Sequence, residues 1–263
     1  MKNKKLVEKY LHYLEHNLGR SIKTIAIYNK NLNSLFDFLT KSKKVPLQAN
    51  RLLLEEFIGI YAHKTGVAIS SRKTRVASIR GFYQWLQDNE LRKDNPAKFI
   101  KYPKVAGSLP LPIEIKHAEK LLNSIDLSTF SGVRDAAIIA LFLGTGMRLS
   151  GVSSLNESNL IWSGTGVGEK LFIRVVEKGK KERVIPVPDT ARLYLQAYFG
   201  HEVLQEINRS LPDGDQVVFV SLRGRRIPEH EYYGEKRRLS NRYIQKMIIN
   251  NTFAKIENIK HKK

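Results

Sequence analysis

Two stretches of this chain carry side chains whose types and spacing could act on a phosphate. The first is LFLGTGMRLSGVSSL, residues 141–155, where an apolar run ends at Gly144 and Gly146 and Arg148 follows two residues later. The second is VVEKGKKERVIPVP, where Lys178, Lys180, Lys181 and Arg183 crowd around Gly179 between two apolar segments. A guanidinium offers a planar fork of donors that matches paired phosphate oxygens, and an ammonium is a compact charge that can reach a single oxygen. Each stretch also has a plainer reading. Arg148 could cap the carbonyls at a helix end, and Lys178 could be a solvated hairpin tip.

The elements that must hold these groups follow from periodicity. Alternation of Leu171, Ile173 and Val175, then Val184, Ile185 and Val187, predicts a β-hairpin with Gly179 in or beside its turn. SGVRDAAIIALFLG predicts a buried helix ended by Gly144 and Gly146, and Ser150 is a candidate cap for a short helix through Leu155. IEIKHAEKLLNSI predicts an amphipathic helix before it, 189–199 another after the hairpin, VVFVS (217–221) a short strand, and LSNRYIQKMIINNTFAKI a final helix capped by Ser240 or Asn241. Upstream, residues 1–100 read as a four-helix module. Ser21 caps its second helix, and Ser70 or Ser71 its fourth. KYPKVAGSLPLP, residues 101–112, is the linker, with three prolines and no helical period. Residues 113–263 form the second domain. The expected fold is mainly α with a small antiparallel β-sheet.

Charge narrows the partner. The chain has 45 Lys and Arg against 25 Asp and Glu, a formal net charge of +20. Such a surplus makes a positive field that draws polyanions, nucleic acid first. Arg72, Lys73, Arg75 and Arg80 stud the fourth helix, and those near its N-terminus oppose the helix dipole, which suggests an anionic partner, a solvated basic face being the plainer reading. There are no cysteines, so disulfides, thiol catalysis and Cys-ligated metals are excluded. His117, His201 and His230 lack metal-ligand spacing and read as surface residues. No apolar run is long enough to span a bilayer, and the reading is a soluble cytoplasmic chain with no cofactor, no metal and no membrane partner.

TGMRLSGVSSLNESNL, followed about 30 residues later by VVEKGKKERVIPVP, resembles the tyrosine recombinase (phage integrase) family, of the XerC/XerD type or the transposon-borne type. The N-terminal module shares the resemblance through SxxTxxxYxxxLxxLFxFL from Ser21 and an RxFYxWL-like close at Arg80–Leu86. The resemblance implies a helical SAM-like core-binding domain and a mixed α/β integrase-type catalytic domain. It implies site-specific recombination through a 3′-phosphotyrosine, without metal, on double-stranded DNA and in a tetrameric synapse. Positive side chains then supply the charge that stabilises the transition state. By this resemblance Arg148 is the first catalytic arginine and Lys178 the lysine that protonates the leaving 5′-oxygen. Lys23, Thr24, Ser71, Arg72, Lys73, Arg75, Arg80, Lys180, Lys181, Arg183, Arg237, Arg238 and Ser240 are expected to face DNA.

Two departures qualify the match. Gly151 stands where the family has an acid three residues after the arginine. The family's His-x-x-Arg box and later nucleophilic tyrosine are not found among the residues after the last helix, KIENIKHKK. Tyr232 and Tyr233 precede that helix and read as packing or DNA-facing aromatics instead of the nucleophile. The expectation is a recombinase truncated before its nucleophile, which binds DNA without cutting it. The alternative is a non-catalytic DNA-binding regulator on the same scaffold.

Overall fold

The computed structural model describes residues 2–105, 113–176, 182–222 and 227–260. The chain divides into two compact units, Met1–Pro110 and Leu111–Lys263.

The first unit is helical throughout. Helix α1 (Lys2–His12) runs on through a π turn, Tyr13–Asn17. Helix α2 covers Ile22–Lys41. Helix α3 (Arg51–Glu56) continues through a second π turn, Phe57–Tyr61, into the single turn α4 (Ala62–Lys64), and α5 spans Ile69–Asp88. Ser21 caps α2 as expected, its hydroxyl accepting the Thr24 amide at 3.3 Å. Neither Ser70 nor Ser71 caps α5. That helix starts at Ile69, with Ala68 at the N-cap position and no side-chain cap, and Arg72 Nε donates to the Val67 carbonyl at 2.9 Å just upstream. Apolar residues three and four apart close the core: Val7, Tyr10 and Leu14 from α1 and its π turn, Leu32, Leu35 and Leu39 from α2, and Ile79, Phe82, Tyr83 and Leu86 from α5. One buried polar pair orients α2 on α5, with Asn31 Nδ2 donating to Ser78 Oγ at 2.9 Å.

In the second unit, helix α6 (Ile115–Asn123) precedes α7 (Phe130–Thr145) and α8 (Leu149–Ser153). Strands β1 (Leu160–Ser163), β2 (Lys170–Val176) and β3 (Glu182–Val187) form an antiparallel sheet in the order β1-β2-β3. Ile173 pairs with Leu160 on one side and Ile185 on the other, so Leu171, Ile173 and Val175 share the buried face while Lys170 and Arg174 face solvent. Helices α9 (Asp189–Phe199), α10 (Glu202–Gln205) and α11 (Asn241–Lys260) complete the unit. Helix α7 is buried on every side from Val133 to Leu141, which explains why its sequence is almost uniformly apolar there.

VVFVS is not a strand. Residues Val217–Val220 are fully buried, but they make only isolated bridges, Val217 with Asn156 and Val220 with Arg238. The apolar run reflects burial on all sides and not sheet pairing. The buried Tyr198 hydroxyl satisfies this segment, donating to the Val218 carbonyl at 2.9 Å and accepting the Val220 amide at 3.3 Å. Burial pushes that hydroxyl's pKa well above its ordinary value. Among the described residues, no helix is long and apolar enough to cross a membrane.

Candidate functional site

The glycines before Arg148 have separate jobs. Gly146 ends α7 in the left-handed region, at φ 62°, with its amide on the Phe142 carbonyl at 3.0 Å. Gly144 admits a neighbour: a Cβ there would lie 3.1 Å from both Cγ and Cδ of Pro188 and 3.5 Å from Ala191 Cβ. The chain leaving β3 therefore packs directly against the end of α7. Between the turn and α8 stands Arg148, in extended conformation and exposed, with its carbonyl taking the Gly151 and Val152 amides at 2.8 and 3.1 Å. It is this backbone group that begins α8, and the Ser150 side chain does not cap it.

The other end of α8 is clasped to the start of α11. Ser153 Oγ donates to Asn241 Oδ1 at 2.7 Å. Arg238 Nη1 donates to the Ser153 and Leu155 carbonyls at 3.2 and 3.0 Å, and its Nη2 to Asn156 Oδ1 at 2.6 Å. Its Nε pairs with Glu235 at 2.8 Å. A second tie reaches α11 from α7. Arg134, 2% exposed, grips Asp135 Oδ1 through Nε and Nη2 at 2.9 and 2.8 Å. It also donates to the Val220 carbonyl at 2.9 Å and the Tyr243 hydroxyl at 2.6 Å. Burial raises the pKa of Asp135 against the opposing pull of Arg134. The Ser240 hydroxyl caps α11, accepting the Tyr243 amide at 3.2 Å.

These ties frame an open cavity of about 1240 Å³ beside the first turns of α11. Its described lining includes Arg134, Lys236, Arg238, Ser240, Arg242 and Lys246, of which Arg134, Lys236 and Arg238 pair with Asp135, Glu231 and Glu235. Arg242 and Lys246 are exposed on α11 and four residues apart, opposite the buried Ile244 and Met247. A cationic hollow at a capped helix N-terminus is a natural seat for a phosphate.

The residues expected to face DNA fall into distinct groups. Ser240 lies at the cavity. Arg183 is exposed on β3, in register with Val175, and Lys178, Lys180 and Lys181 lie outside the described residues. Arg237 and Arg238 are not open cations. Arg237 is 8% exposed, holds the Leu222 carbonyl and Glu229, and lies 4.0 Å over the ring of buried Tyr232. Arg238 is the clasp described above. The sequence reading placed both toward DNA because burial of a charged side chain leaves no periodic mark. In the first unit, Lys23, Ser71 and Lys73 are exposed and Thr24 is half-buried. Arg72, Arg75 and Arg80 are half-buried, Arg75 over the Phe57 ring at 5.1 Å and Arg80 over Tyr102 at 5.4 Å. Burial lowers the Arg75 pKa from its ordinary value. His201 is also not a plain surface residue: it caps α10 through Nδ1 and stands edge-on to Phe130. Arg134, Lys236, Arg242 and Lys246 escaped the sequence reading. For the last two, a basic pair at four-residue spacing opposite Ile244 and Met247 was the available signal.

Residues 7–90 match the model of the phage integrase N-terminal SAM-like domain, and residues 113–253 match that of the phage integrase family itself. The chain belongs to the phage integrase family. Among relatives in that family, it is 31% identical over 225 residues to the tyrosine recombinase XerC of Myxococcus xanthus, covering 84% of this chain and 72% of the relative. It is 32% identical over 196 residues to the tyrosine recombinase XerD of Listeria monocytogenes, covering 73% of this chain and 63% of the relative. The integrase fold is shared with a lambda integrase (75–356) dimer bound to a COC′ core site, with a TM-score of 0.65, 13% identity and coverage of 95% of this chain and 80% of that one. It is shared as well with the XerH recombinase bound to its difH substrate, with a TM-score of 0.64, 16% identity and coverage of 95% and 68%. Within the integrase fold, the helical first unit and the helix-rich second unit with its three-stranded antiparallel sheet are the expected architecture.

Proposed function

We propose that this chain binds double-stranded DNA at a recombination site and belongs to a site-specific recombinase. The observation that carries the proposal is the cationic cavity at the start of α11, clasped to the far end of the helix that Arg148 begins. In this reading Arg148 takes the scissile phosphate and Lys178 delivers a proton to the leaving 5′-oxygen. Ser240, Arg242 and Lys246 hold phosphates nearby. Lys180, Lys181 and Arg183 grip the backbone along the hairpin. In the first unit, Lys23, Thr24, Ser71, Lys73 and the half-buried Arg72, Arg75 and Arg80 line the helices that enter a major groove. Each unit contributes phosphate contacts to the duplex, and the whole recombinase works as a tetramer, the assembly in which lambda integrase is seen bound to a Holliday junction.

These 263 residues contain no His-x-x-Arg. A chain of this sequence is therefore expected to bind DNA and not to cleave it. The test is a nicked suicide substrate carrying the recombination site. Retarded complexes without a covalent protein–DNA adduct support the proposal, and an adduct refutes its non-cleaving half. Binding must also fall steeply with salt, by about 10³–10⁵ between 50 and 200 mM for roughly six to ten phosphate contacts. Affinity that is flat over that range refutes the DNA-binding half.

Gly151 favours a second reading, a regulator that occupies recombination sites without cutting. No acid stands at that position to orient Arg148. Competition with an active recombinase on one labelled site separates the two. A regulator blocks recombination by the active enzyme, whereas a recombinase subunit enters a productive mixed synapse.

A further inference from the structure

Helix α1 and its π turn direct Val7, Tyr10 and Leu14 into the core of the first unit, which leaves the opposite face to solvent. On that face the sequence reads His12-Tyr-Leu-Glu15-His16. All three named residues are exposed, and no contact described above uses them. They lie where α1 passes into the π turn Tyr13–Asn17. The wider π turn, closed by i→i+5 bonds, brings residues four apart almost into line along the helix axis. The two imidazoles accordingly stack, with centroids 5.5 Å apart and planes inclined by 15°. The Glu15 carboxylate lies 3.9 Å from His16 Nε2. One ligand atom from each residue falls within 4.8 Å of the others, which among the described residues is true of no other His or acid triplet.

We infer that His12, Glu15 and His16 form a binding site for a divalent transition metal, with Zn²⁺ as its typical occupant. Imidazole pairs one helical turn apart are a recurrent zinc-binding arrangement, and a carboxylate is a compatible third ligand. Ligand atoms around a tetrahedral Zn²⁺ at 2.0–2.1 Å lie about 3.3 Å apart. The three groups must therefore close by at most about 1.5 Å, a side-chain motion that exposed residues make freely. Water completes the shell. Two nitrogen ligands select against Ca²⁺ and Mg²⁺, which take oxygen. The metal would staple the last turn of α1 to the π turn, fixing the end of the helix just before the Gly19 bend and the start of α2.

Titrating the full chain with ZnCl₂ in a non-coordinating buffer, by calorimetry, tests the site. One equivalent of saturable binding is expected. His12→Ala and His16→Ala should each weaken it about 10-fold or more, and Glu15→Gln less. Exposure of all three side chains means that these variants keep the parent's circular dichroism. His230→Ala, which breaks the exposed His230–Glu231 pair, is the control and should bind Zn²⁺ as the parent does. Replacing ZnCl₂ with MgCl₂ should give no heat. Binding that survives the double change His12→Ala and His16→Ala, binding lost in His230→Ala, or equal heats with Mg²⁺ would each overturn the assignment.

Discussion

Replacing Arg238 with alanine separates a structural clasp from a DNA contact. The guanidinium serves three acceptors besides Glu235. All three lose the arginine, but the Leu155 carbonyl keeps the Val218 amide at 3.1 Å and the Asn156 side chain keeps the Asn159 amide of its capping box, which leaves the Ser153 carbonyl, bonded at 3.2 Å, as the acceptor stripped of its donor. Hydrogen bonds from a charged donor contribute about 1.5–3 kcal/mol each, the longer bond at the low end. With one acceptor left bare, the loss worked from the geometry is about 1.5–3 kcal/mol. Glu235 is 65% exposed, so its pairing with Arg238 adds little, and Glu235→Ala should change stability by less than about 1 kcal/mol. The chain has two tryptophans, Trp85 in the first unit and Trp162 in the second. Urea unfolding followed by fluorescence in a Trp85→Phe background therefore reports the second unit. The log–log salt slope of DNA binding, measured without urea, supplies the other arm. Arg238→Ala should leave it unchanged, whereas Arg242→Ala and Lys246→Ala should each flatten it by about 0.9. A stability loss below about 0.5 kcal/mol for Arg238→Ala, together with a flatter slope, would refute the clasp and return Arg238 to the DNA surface.

Other changes probe the same architecture. Gly151 lies inside α8, where an added Cβ meets only Met147 Cε at 3.5 Å, so Gly151→Ala should stabilise by about 0.4–1 kcal/mol in thermal unfolding. Gly146→Ala, at φ 62°, should instead destabilise by about 1–2 kcal/mol in the same assay. Ser78→Ala leaves the buried Asn31 amide without its acceptor and should cost about 1–3 kcal/mol, and adding Asn31→Leu should recover part of that loss. Tyr198→Phe removes the donor to Val218 and the acceptor for Val220. A loss of about 1–3 kcal/mol is expected, with faster hydrogen exchange at the Val220 amide.

Much of this molecule is written in local pattern. The 3.6-residue period of α2 and its Ser21 cap, the alternation of β2, and helix α9 at Asp189–Phe199 all follow from nearest-neighbour rules. The Arg148 turn was legible because glycine pairs mark chain reversals. What escaped depends on distant partners. Helix α5 begins before its serines, where Arg72 Nε holds the Val67 carbonyl across its exposed first turn. Val217–Val220 reads as a strand because total burial and sheet burial look alike in a four-residue apolar run. Arg134, Arg237 and Arg238 resemble surface cations in sequence, and only the carbonyls and carboxylates folded around them reveal otherwise.

The joint between Gly144 and Pro188 bears on how such a chain can diversify. Even a methyl group at 144 would force Pro188 to give way by a few tenths of an ångström. The arginine-bearing turn and the foot of the hairpin are therefore inherited as one piece, and neither can change length alone. In the β1–β2 connection, residues 164–169, an added Cβ at Gly168 meets open space, and Gly166 is limited by its φ of 63° and not by any neighbour. Insertions among descendants of this sequence should accumulate there and spare 186–191. A hairpin transplanted from another integrase should take only if its proline corner comes with it.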